Sequence, residues 1–121
     1  MVGVRSVLIV DDHAGFRRMA RALLEAEGFV IAGEAADGQT AIAVADALDP
    51  DLVLLDIHLP DLDGFAVCAR LSVRDRPPLV VLTSSRDVSA YRRRLAVSSA
   101  RGFIAKDELT AAGLLAMVDA E

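Results

Sequence analysis

One stretch of the chain decides its fold: residues 52–64 have the sequence LVLLDIHLPDLDG. Four consecutive aliphatic residues are typical of a buried strand in a parallel sheet, because helices cover both faces of such a sheet. Asp56 follows this run directly, residues 58–63 predict a loop, and residues 64–72 predict the next helix. The stretch therefore predicts one strand–loop–helix unit with an acid at the carboxyl end of the strand.

The same unit recurs along the chain. Aliphatic runs at residues 7–10 and 79–82 end at Asp11 and Thr83, and Lys106 follows a weaker run. Strands are predicted at residues 7–10, 29–35, 52–55, 79–82 and 100–104, and helices at 14–27, 39–48, 64–72, 87–97 and 107–120. Five strands alternating with five helices through right-handed crossovers predict a doubly wound α/β fold of the flavodoxin-like type, with parallel strand order 2-1-3-4-5.

Apolar residues at helical spacing predict which side of each helix faces the sheet. In the first helix this stripe includes Met19, and in the fourth it consists of Val88, Tyr91 and Leu95. We expect these side chains to point inward.

Size and composition favour a single domain spanning residues 1–121. The chain is 54% hydrophobic, which suits a sheet covered on both faces. No apolar run approaches the ~20 residues that span a bilayer, the first residues lack a secretory signal pattern, and the single cysteine forms no internal disulfide. The net charge of −5 argues against direct nucleic-acid binding by this chain. These features predict a cytoplasmic domain with no membrane contact.

The carboxyl ends of parallel strands meet at one rim of the sheet, which is where such folds bind ligands. Three carboxylates, those of Asp11, Asp12 and Asp56, would repel one another there unless a cation offsets them, and Mg²⁺ prefers such oxygen ligands. Asp12 and Asp56 are predicted to ligate Mg²⁺ directly and Asp11 through a bound water. The backbone carbonyl of His58 is the further candidate ligand. A carboxylate can also accept a phosphoryl group as an acyl phosphate.

Short motifs, in order and in register, carry a resemblance to a known family. They are Val10-Asp11-Asp12-His13, residues 55–64 (LDIHLPDLDG), Leu82-Thr83-Ser84-Ser85 and residues 100–106 (ARGFIAK). Over residues 5–119 the chain resembles the receiver domains of two-component response regulators. The resemblance implies that Asp56 accepts phosphate from the phosphohistidine of a sensor histidine kinase or phosphotransfer protein, while Asp11 and Asp12 hold Mg²⁺. Lys106 is then the residue that contacts the phosphoryl group.

The resemblance also implies a switch formed by Thr83 and Phe103. Thr83 is the switch hydroxyl, drawn toward the phosphoryl group, and Phe103 occupies the position of the switch aromatic, which rotates into the space left behind. Because phenylalanine has no hydroxyl, it contributes packing only, and we expect a less sharply defined switch than tyrosine would give.

His58 and Ser85 occupy the two positions that tune acyl-phosphate lifetime in this family. His58 lies two residues after Asp56, and Ser85 lies two residues after Thr83. For His58, the alternative of an exposed loop residue without such a role stays open.

A basic segment at residues 86–101 contains five arginines and a single acid, Asp87. Four of them form a candidate output face for an acidic partner: Arg92, Arg93, Arg94 and Arg101. A solvated helix face is the alternative. In the family, the face formed by the fourth helix, fifth strand and fifth helix is the common output and dimer surface, which makes a phosphorylation-dependent homodimer a further alternative.

Three functional classes compete. The first is a signalling module that catalyses only its own phosphorylation and dephosphorylation, and is otherwise not an enzyme. A phosphate-independent pseudo-receiver acting as an interaction module is the alternative. A haloacid-dehalogenase-like phosphatase would need a general acid where this chain has His58. A downstream protein or a missing output domain would receive the signal, and the sequence leaves a stand-alone protein and a fragment of a DNA-binding regulator equally open.

Overall fold

A computed structural model describes residues 6–119 and contains one parallel five-stranded sheet. The strands are β1 (Ser6–Val10), β2 (Val30–Ala35), β3 (Leu52–Asp56), β4 (Leu79–Ser84) and β5 (Gly102–Ala105). Their order is β2-β1-β3-β4-β5, with all four neighbouring pairs parallel. The predicted flavodoxin-like topology is confirmed.

In the described part of the chain, five α-helices cover the two faces of this sheet. They are α1 (Ala14–Ala26), α2 (Gly38–Leu48), α3 (Gly64–Ser72), α4 (Arg92–Val97) and α5 (Ala111–Val118). Two 3₁₀ helices, Val88–Tyr91 and Lys106–Glu108, precede α4 and α5. Within residues 6–119 no helix combines the length and the apolarity needed to cross a bilayer.

Alternation along the central strands divides the buried residues into two cores. In β3, Val53 and Leu55 join the core beneath α2 and α3, whereas Leu52 and Leu54 join the core beneath α1 and α5. Because successive side chains point to opposite faces of a strand, a strand buried on both faces needs apolar residues at every position. This requirement explains the unbroken aliphatic runs of the sequence.

Side-chain caps fix where three of the helices begin. Asp37 accepts a hydrogen bond from the Thr40 amide at 2.7 Å and so starts α2. Asp63 caps α3 through the Ala66 amide, and Thr110 caps α5 through the Gly113 amide, each at 2.9 Å. Such caps satisfy amides that have no partner within the first helical turn.

The fourth helix differs most from its prediction. A continuous helix was expected at residues 87–97, but a 3₁₀ helix ends at Tyr91 and α4 covers only Arg92–Val97. Tyr91 itself has φ −125° and ψ 8°, which is not helical, so the helix breaks there. Tyr91 is buried as expected, whereas Val88, predicted to point inward, is 38% exposed.

Smaller corrections concern the other predicted boundaries. The closing helix begins at Ala111 rather than 107, because Thr110 has an extended backbone and acts as its N-cap. The predicted end of that helix at residue 120 lies outside the described residues. β5 begins at Gly102 rather than at residue 100. In α1, Met19 lies at the margin of the apolar stripe and is 42% exposed instead of facing the sheet.

Candidate functional site

The sheet topology brings four separated parts of the sequence to one rim. Asp11 follows β1, Asp56 ends β3, and these strands are neighbours in the sheet. Thr83 on β4 is the register partner of Asp56. Lys106, which follows β5, places Nζ 2.7 Å from Oδ2 of Asp11 and 3.2 Å from Oδ2 of Asp56. The predicted cluster of acids, hydroxyl and ammonium therefore forms.

Burial disfavours the charged forms of the two acids at the centre of this cluster. Asp11 is fully buried and Asp56 is 2% exposed. Burial raises the pKa of Asp56 above its ordinary value and the neighbouring Asp11 raises it further, although the His58 amide and Lys106 oppose the shift. Burial alone would lower the pKa of Lys106, but Asp11 and Asp56 outweigh it and raise that pKa. The site thus favours an additional positive charge beside Asp56.

The donors available for a cation are mainly carboxylate oxygens. One ligand atom from each of Asp11, Asp12, His13 and Asp56 can be chosen so that all lie within 4.8 Å of one another. Among the described residues, Asp11 and Asp56 pair with the ammonium group of Lys106 and Asp12 adds a third carboxylate, so the oxygen-rich set fits a hard divalent cation such as Mg²⁺. His13 Nδ1 lies 3.0 Å from Oδ1 of Asp12. The predicted role of the His58 carbonyl stays a prediction.

Thr83 carries a buried hydroxyl without a partner. The residue is fully buried, and its Oγ1 atom has no hydrogen bond to any described residue. An unsatisfied buried hydroxyl costs about 1–3 kcal/mol. Its location beside Asp56 suits an acceptor oxygen that arrives with a ligand on that carboxylate.

The loop after Asp56 is shaped by Gly64 and Asp61. A Cβ atom on Gly64 would lie 2.5 Å from the Asp56 carbonyl oxygen and 2.8 Å from Cα of Ile57, so only glycine fits. The Asp61 carboxylate accepts hydrogen bonds from the amides of Gly38 and Gln39 at 2.7 and 2.9 Å. The loop is therefore tied to α3 at one end and to the start of α2 in its middle.

His58 contacts both the acceptor residue and the turn before α4. Its amide donates to Oδ1 of Asp56 at 3.1 Å, and its imidazole Nε2 forms a hydrogen bond with the Tyr91 hydroxyl. Ser85, the other predicted tuning residue, is exposed directly after β4. The tuning roles of His58 and Ser85 stay predictions.

Phe103 and Tyr91 pack together at the edge of this site. Phe103 is half-buried on β5, and its ring centroid lies 6.1 Å from that of Tyr91. Sequence reasoning treated Tyr91 only as a core-facing residue. A buried tyrosine needs a partner for its hydroxyl, and this requirement was the signal available for finding its polar contacts.

The four arginines of the predicted output face are exposed, but they are not equivalent. Arg94 forms an ion pair with Asp63 at 2.5 Å and lies over the Phe65 ring, 4.2 Å from its centroid. Arg101 donates to the Val118 carbonyl at 3.4 Å. Within residues 6–119, Arg92 and Arg93 have no ion pair. Among the described residues, those two are therefore the charges of this face that are engaged neither in an ion pair nor, as Arg101 is, with a backbone carbonyl.

Arg17 is a second residue that sequence reasoning missed. Its Nη1 donates to the Asp11 carbonyl oxygen at 2.5 Å, and its Nε pairs with Glu34 on β2 at 3.0 Å. Arg17 thus fixes the backbone that presents Asp11 and Asp12. No local pattern marks this role, because the pair with Glu34 depends on how α1 packs against β2.

Comparison with known proteins gives a consistent result. The family model of the response regulator receiver domain matches residues 7–119. BvgA of Bordetella pertussis is 41% identical over 102 residues, which cover 84% of this chain and 49% of BvgA. The transcriptional regulatory protein YdfI of Bacillus subtilis is 30% identical over 105 residues, covering 86% of this chain and 49% of YdfI. The chain spans about half the length of these curated relatives.

Two solved structures share the whole fold. The signal receiver domain of NarL from Mycobacterium tuberculosis has a TM-score of 0.86 and 31% identity, covering 99% of this chain and 100% of that one. CheY of Borrelia burgdorferi, in a complex with CheX, BeF₃ and Mg²⁺, has a TM-score of 0.82 and 29% identity, covering 94% of this chain and 86% of that chain.

Proposed function

Because the chain belongs to the response regulator receiver family of two-component signalling, we propose that Asp56 accepts a phosphoryl group from a phosphohistidine. A carboxylate oxygen of Asp56 attacks the phosphorus, the N–P bond breaks, and its electron pair returns to the imidazole of the donor. The product is an acyl phosphate on Asp56. The donor is a sensor histidine kinase or a phosphotransfer protein.

One observation carries this proposal: the ammonium of Lys106 and the unpartnered hydroxyl of Thr83 flank the same buried carboxylate. Phosphoryl transfer depends on positioning and charge neutralisation more than on covalent chemistry by the protein. Lys106 would hold one phosphoryl oxygen, and Thr83 would donate its proton to another. Movement of Thr83 would leave space for Phe103, in keeping with a two-state switch.

Asp11, Asp12, Asp56 and the His58 carbonyl are proposed to hold Mg²⁺. When bound, Mg²⁺ supplies the positive charge that offsets these carboxylates and the phosphoryl oxygens. Asp11 remains buried against Lys106, so it also keeps that ammonium oriented toward Asp56.

The wider assignments rest on the same proposal. Residues 1–121 would act as one receiver unit in the cytoplasm that catalyses only its own phosphorylation and dephosphorylation, with His58 and Ser85 tuning the lifetime of the acyl phosphate. The signal would pass to a downstream protein or output domain through Arg92, Arg93, Arg94 and Arg101, or through a phosphorylation-dependent homodimer. No direct contact with nucleic acid or membrane is proposed for this chain.

The experiment is phosphorylation of the full chain by acetyl phosphate, followed by intact-mass spectrometry. We expect one phosphoryl increment that requires Mg²⁺, is released by hydroxylamine and is absent from Asp56→Asn. Asp107→Asn is the matched control, because Asp107 is an exposed acid next to Lys106. An unphosphorylated wild type would contradict the proposal and favour the phosphate-independent interaction module.

A further inference from the structure

Tyr91 lies where several residues near the site meet. It ends the 3₁₀ helix Val88–Tyr91, is 6% exposed, and has a non-helical backbone that separates this turn from α4. Its hydroxyl forms hydrogen bonds with Nε2 of His58 and with Oγ of Ser84, the latter at 3.1 Å. Tyr91 is the only tyrosine of the chain, so no other residue carries a phenol hydroxyl.

Both partners of this hydroxyl are connected to the site itself. His58 donates its amide to Oδ1 of Asp56, so one residue contacts Asp56 with its backbone and Tyr91 with its side chain. Ser84 directly follows Thr83 on β4. The hydroxyl of Tyr91 therefore bridges the loop after Asp56 and the end of the strand that carries Thr83.

One arrangement of protons satisfies all the hydrogen bonds of this bridge. Oγ of Ser84 accepts from the Arg86 amide at 3.0 Å, which leaves the proton of Ser84 free for Tyr91. Tyr91 can then donate its own proton to Nε2 of His58. A buried polar group that is satisfied in this way is costly to leave without partners.

The ring of Tyr91 adds apolar contacts to the same place. Its centroid lies 6.1 Å from that of Phe103 and 6.2 Å from that of Phe65, both in tilted geometry. Phe103 occupies the predicted switch position but has no hydroxyl. In this chain the hydroxyl beside that position belongs to Tyr91.

A second contact ties α4 to the same loop. Arg94 pairs with Asp63, the residue that caps α3, and lies over Phe65 in the first turn of α3. No residue of α4 is fully buried. The position of α4 therefore depends on Tyr91 before it and, within it, on Arg94 and the half-buried Leu95.

We propose that Tyr91 is a positioning residue that couples the state of Asp56 to α4 through its hydroxyl bridge to His58 and Ser84. This inference rests on the proposed function. An acyl phosphate on Asp56 alters the carboxylate to which the His58 amide donates, so the loop shifts and carries the imidazole with it. The bond between His58 and Tyr91 then rearranges, and the 3₁₀ turn and α4 move with Tyr91.

The test is an amide NMR titration of the full chain with Mg²⁺ and beryllofluoride, a phosphoryl mimic. In the wild type we expect shifts at residues 56–63 and at 88–97. Tyr91→Phe should keep the shifts at 56–63 and lose most of those at 92–97. Ser89→Ala removes an exposed hydroxyl from the same turn and should match the wild type. A merely structural role for Tyr91 would not separate the two sets of shifts.

Each other outcome has a defined meaning. Equal shifts at residues 92–97 in the wild type and Tyr91→Phe would overturn the coupling and leave the proposed function intact. A wild type that does not respond to the mimic would overturn the proposed function, and the coupling with it. If Tyr91→Phe does not fold, His58→Ala breaks the bridge from its exposed end. Undiminished shifts at 92–97 in that variant would overturn the coupling.

Discussion

α1 and α4 pack against opposite faces of the sheet and are held there by different forces. α1 has 13 residues and fully buries Ala20 and Leu24, whereas α4 has six residues, and its apolar contact is the half-buried Leu95. Moving α1 would expose apolar surface to water, which is costly in proportion to its area. Moving α4 would expose only the half-buried Leu95 and otherwise exchange polar contacts. The part of a domain that responds to a ligand is expected to be the part with the lower local stability.

The largest difference between the two helices should appear on truncating their inward leucines. Leu24→Ala leaves a cavity beneath α1 and should lower the free energy of unfolding by about 3 kcal/mol. Leu95→Ala removes a half-buried side chain and should cost about 1 kcal/mol. Urea unfolding measures both values, and equal losses would contradict the comparison.

A smaller loss of stability is expected from a substitution at Gly64, where the loop that contacts α4 meets α3. Gly64→Ala forces a Cβ against the Asp56 carbonyl and should destabilise the domain by about 2 kcal/mol. Gly15→Ala in α1 is the matched control, because a Cβ there meets nothing within 4 Å. The control should gain about 0.5–1 kcal/mol from its better helix propensity. Thermal unfolding distinguishes the two, and similar behaviour would refute the close approach at Gly64.

Asp56, the buried acid at the end of β3, should give the stability of the domain an unusual pH dependence. The raised pKa of Asp56 means that its ionised form is disfavoured in the folded state, so stability falls as pH rises from the unfolded pKa toward the folded one. Asp56→Asn should therefore be more stable than the wild type at pH 7, and the difference should shrink below about pH 4, the ordinary aspartate pKa. Unfolding curves across this range, without Mg²⁺, provide the measurement. A variant less stable at pH 7 would show that ionised Asp56 is favoured.

The smallest effects are expected from breaking the ion pairs of α1 and of α4. Glu34 on β2 pairs with Arg17 and Arg21 of α1, and its pKa is lowered chiefly by the hydrogen bond from Arg21. Glu34→Gln should cost about 1 kcal/mol at neutral pH. Because a lowered pKa stabilises the folded state only while the acid is ionised, this cost should vanish as pH falls through the folded pKa.

Arg94→Gln, which breaks the more exposed pair of α4, should cost less than about 0.5 kcal/mol, and its effect should diminish with added salt. Unfolding midpoints at low and high salt compare the two variants. A larger cost for Arg94→Gln than for Glu34→Gln would reverse the comparison.

The sheet and its rim could be predicted because the evidence for them is local. Aliphatic runs mark buried strands, and a parallel sheet then brings together the side chains that follow each run, such as Asp11, Asp56 and Lys106. The break in the fourth helix could not be predicted in this way. It depends on the backbone of Tyr91, whose side chain is held by His58, 33 residues earlier.

The same limit applies to the surface charges. The sequence predicted a basic face from the composition of residues 86–101, but Arg94 is engaged by Asp63 and Arg101 by the Val118 carbonyl. Both partners are distant in sequence, and surface ion pairs depend on the final side-chain geometry. Composition therefore predicted the location of the charge but not which arginines are available.

The Gly38 and Gln39 amides clamp the carboxylate of Asp61 through two hydrogen bonds, and this clamp restricts the movement of the loop after Asp56. Hydrogen bonds from Gly38 and Gln39 lower the pKa of Asp61, so the carboxylate stays ionised and the clamp persists in mildly acidic solution. With its middle anchored to α2 through these bonds, the loop is expected to move on the side of His58, toward α4. We expect hydrogen exchange at the Gly38 and Gln39 amides to be equally slow with and without beryllofluoride. Faster exchange of these amides with the mimic would show that their hydrogen bonds to Asp61 open, and that the loop moves toward both α2 and α4.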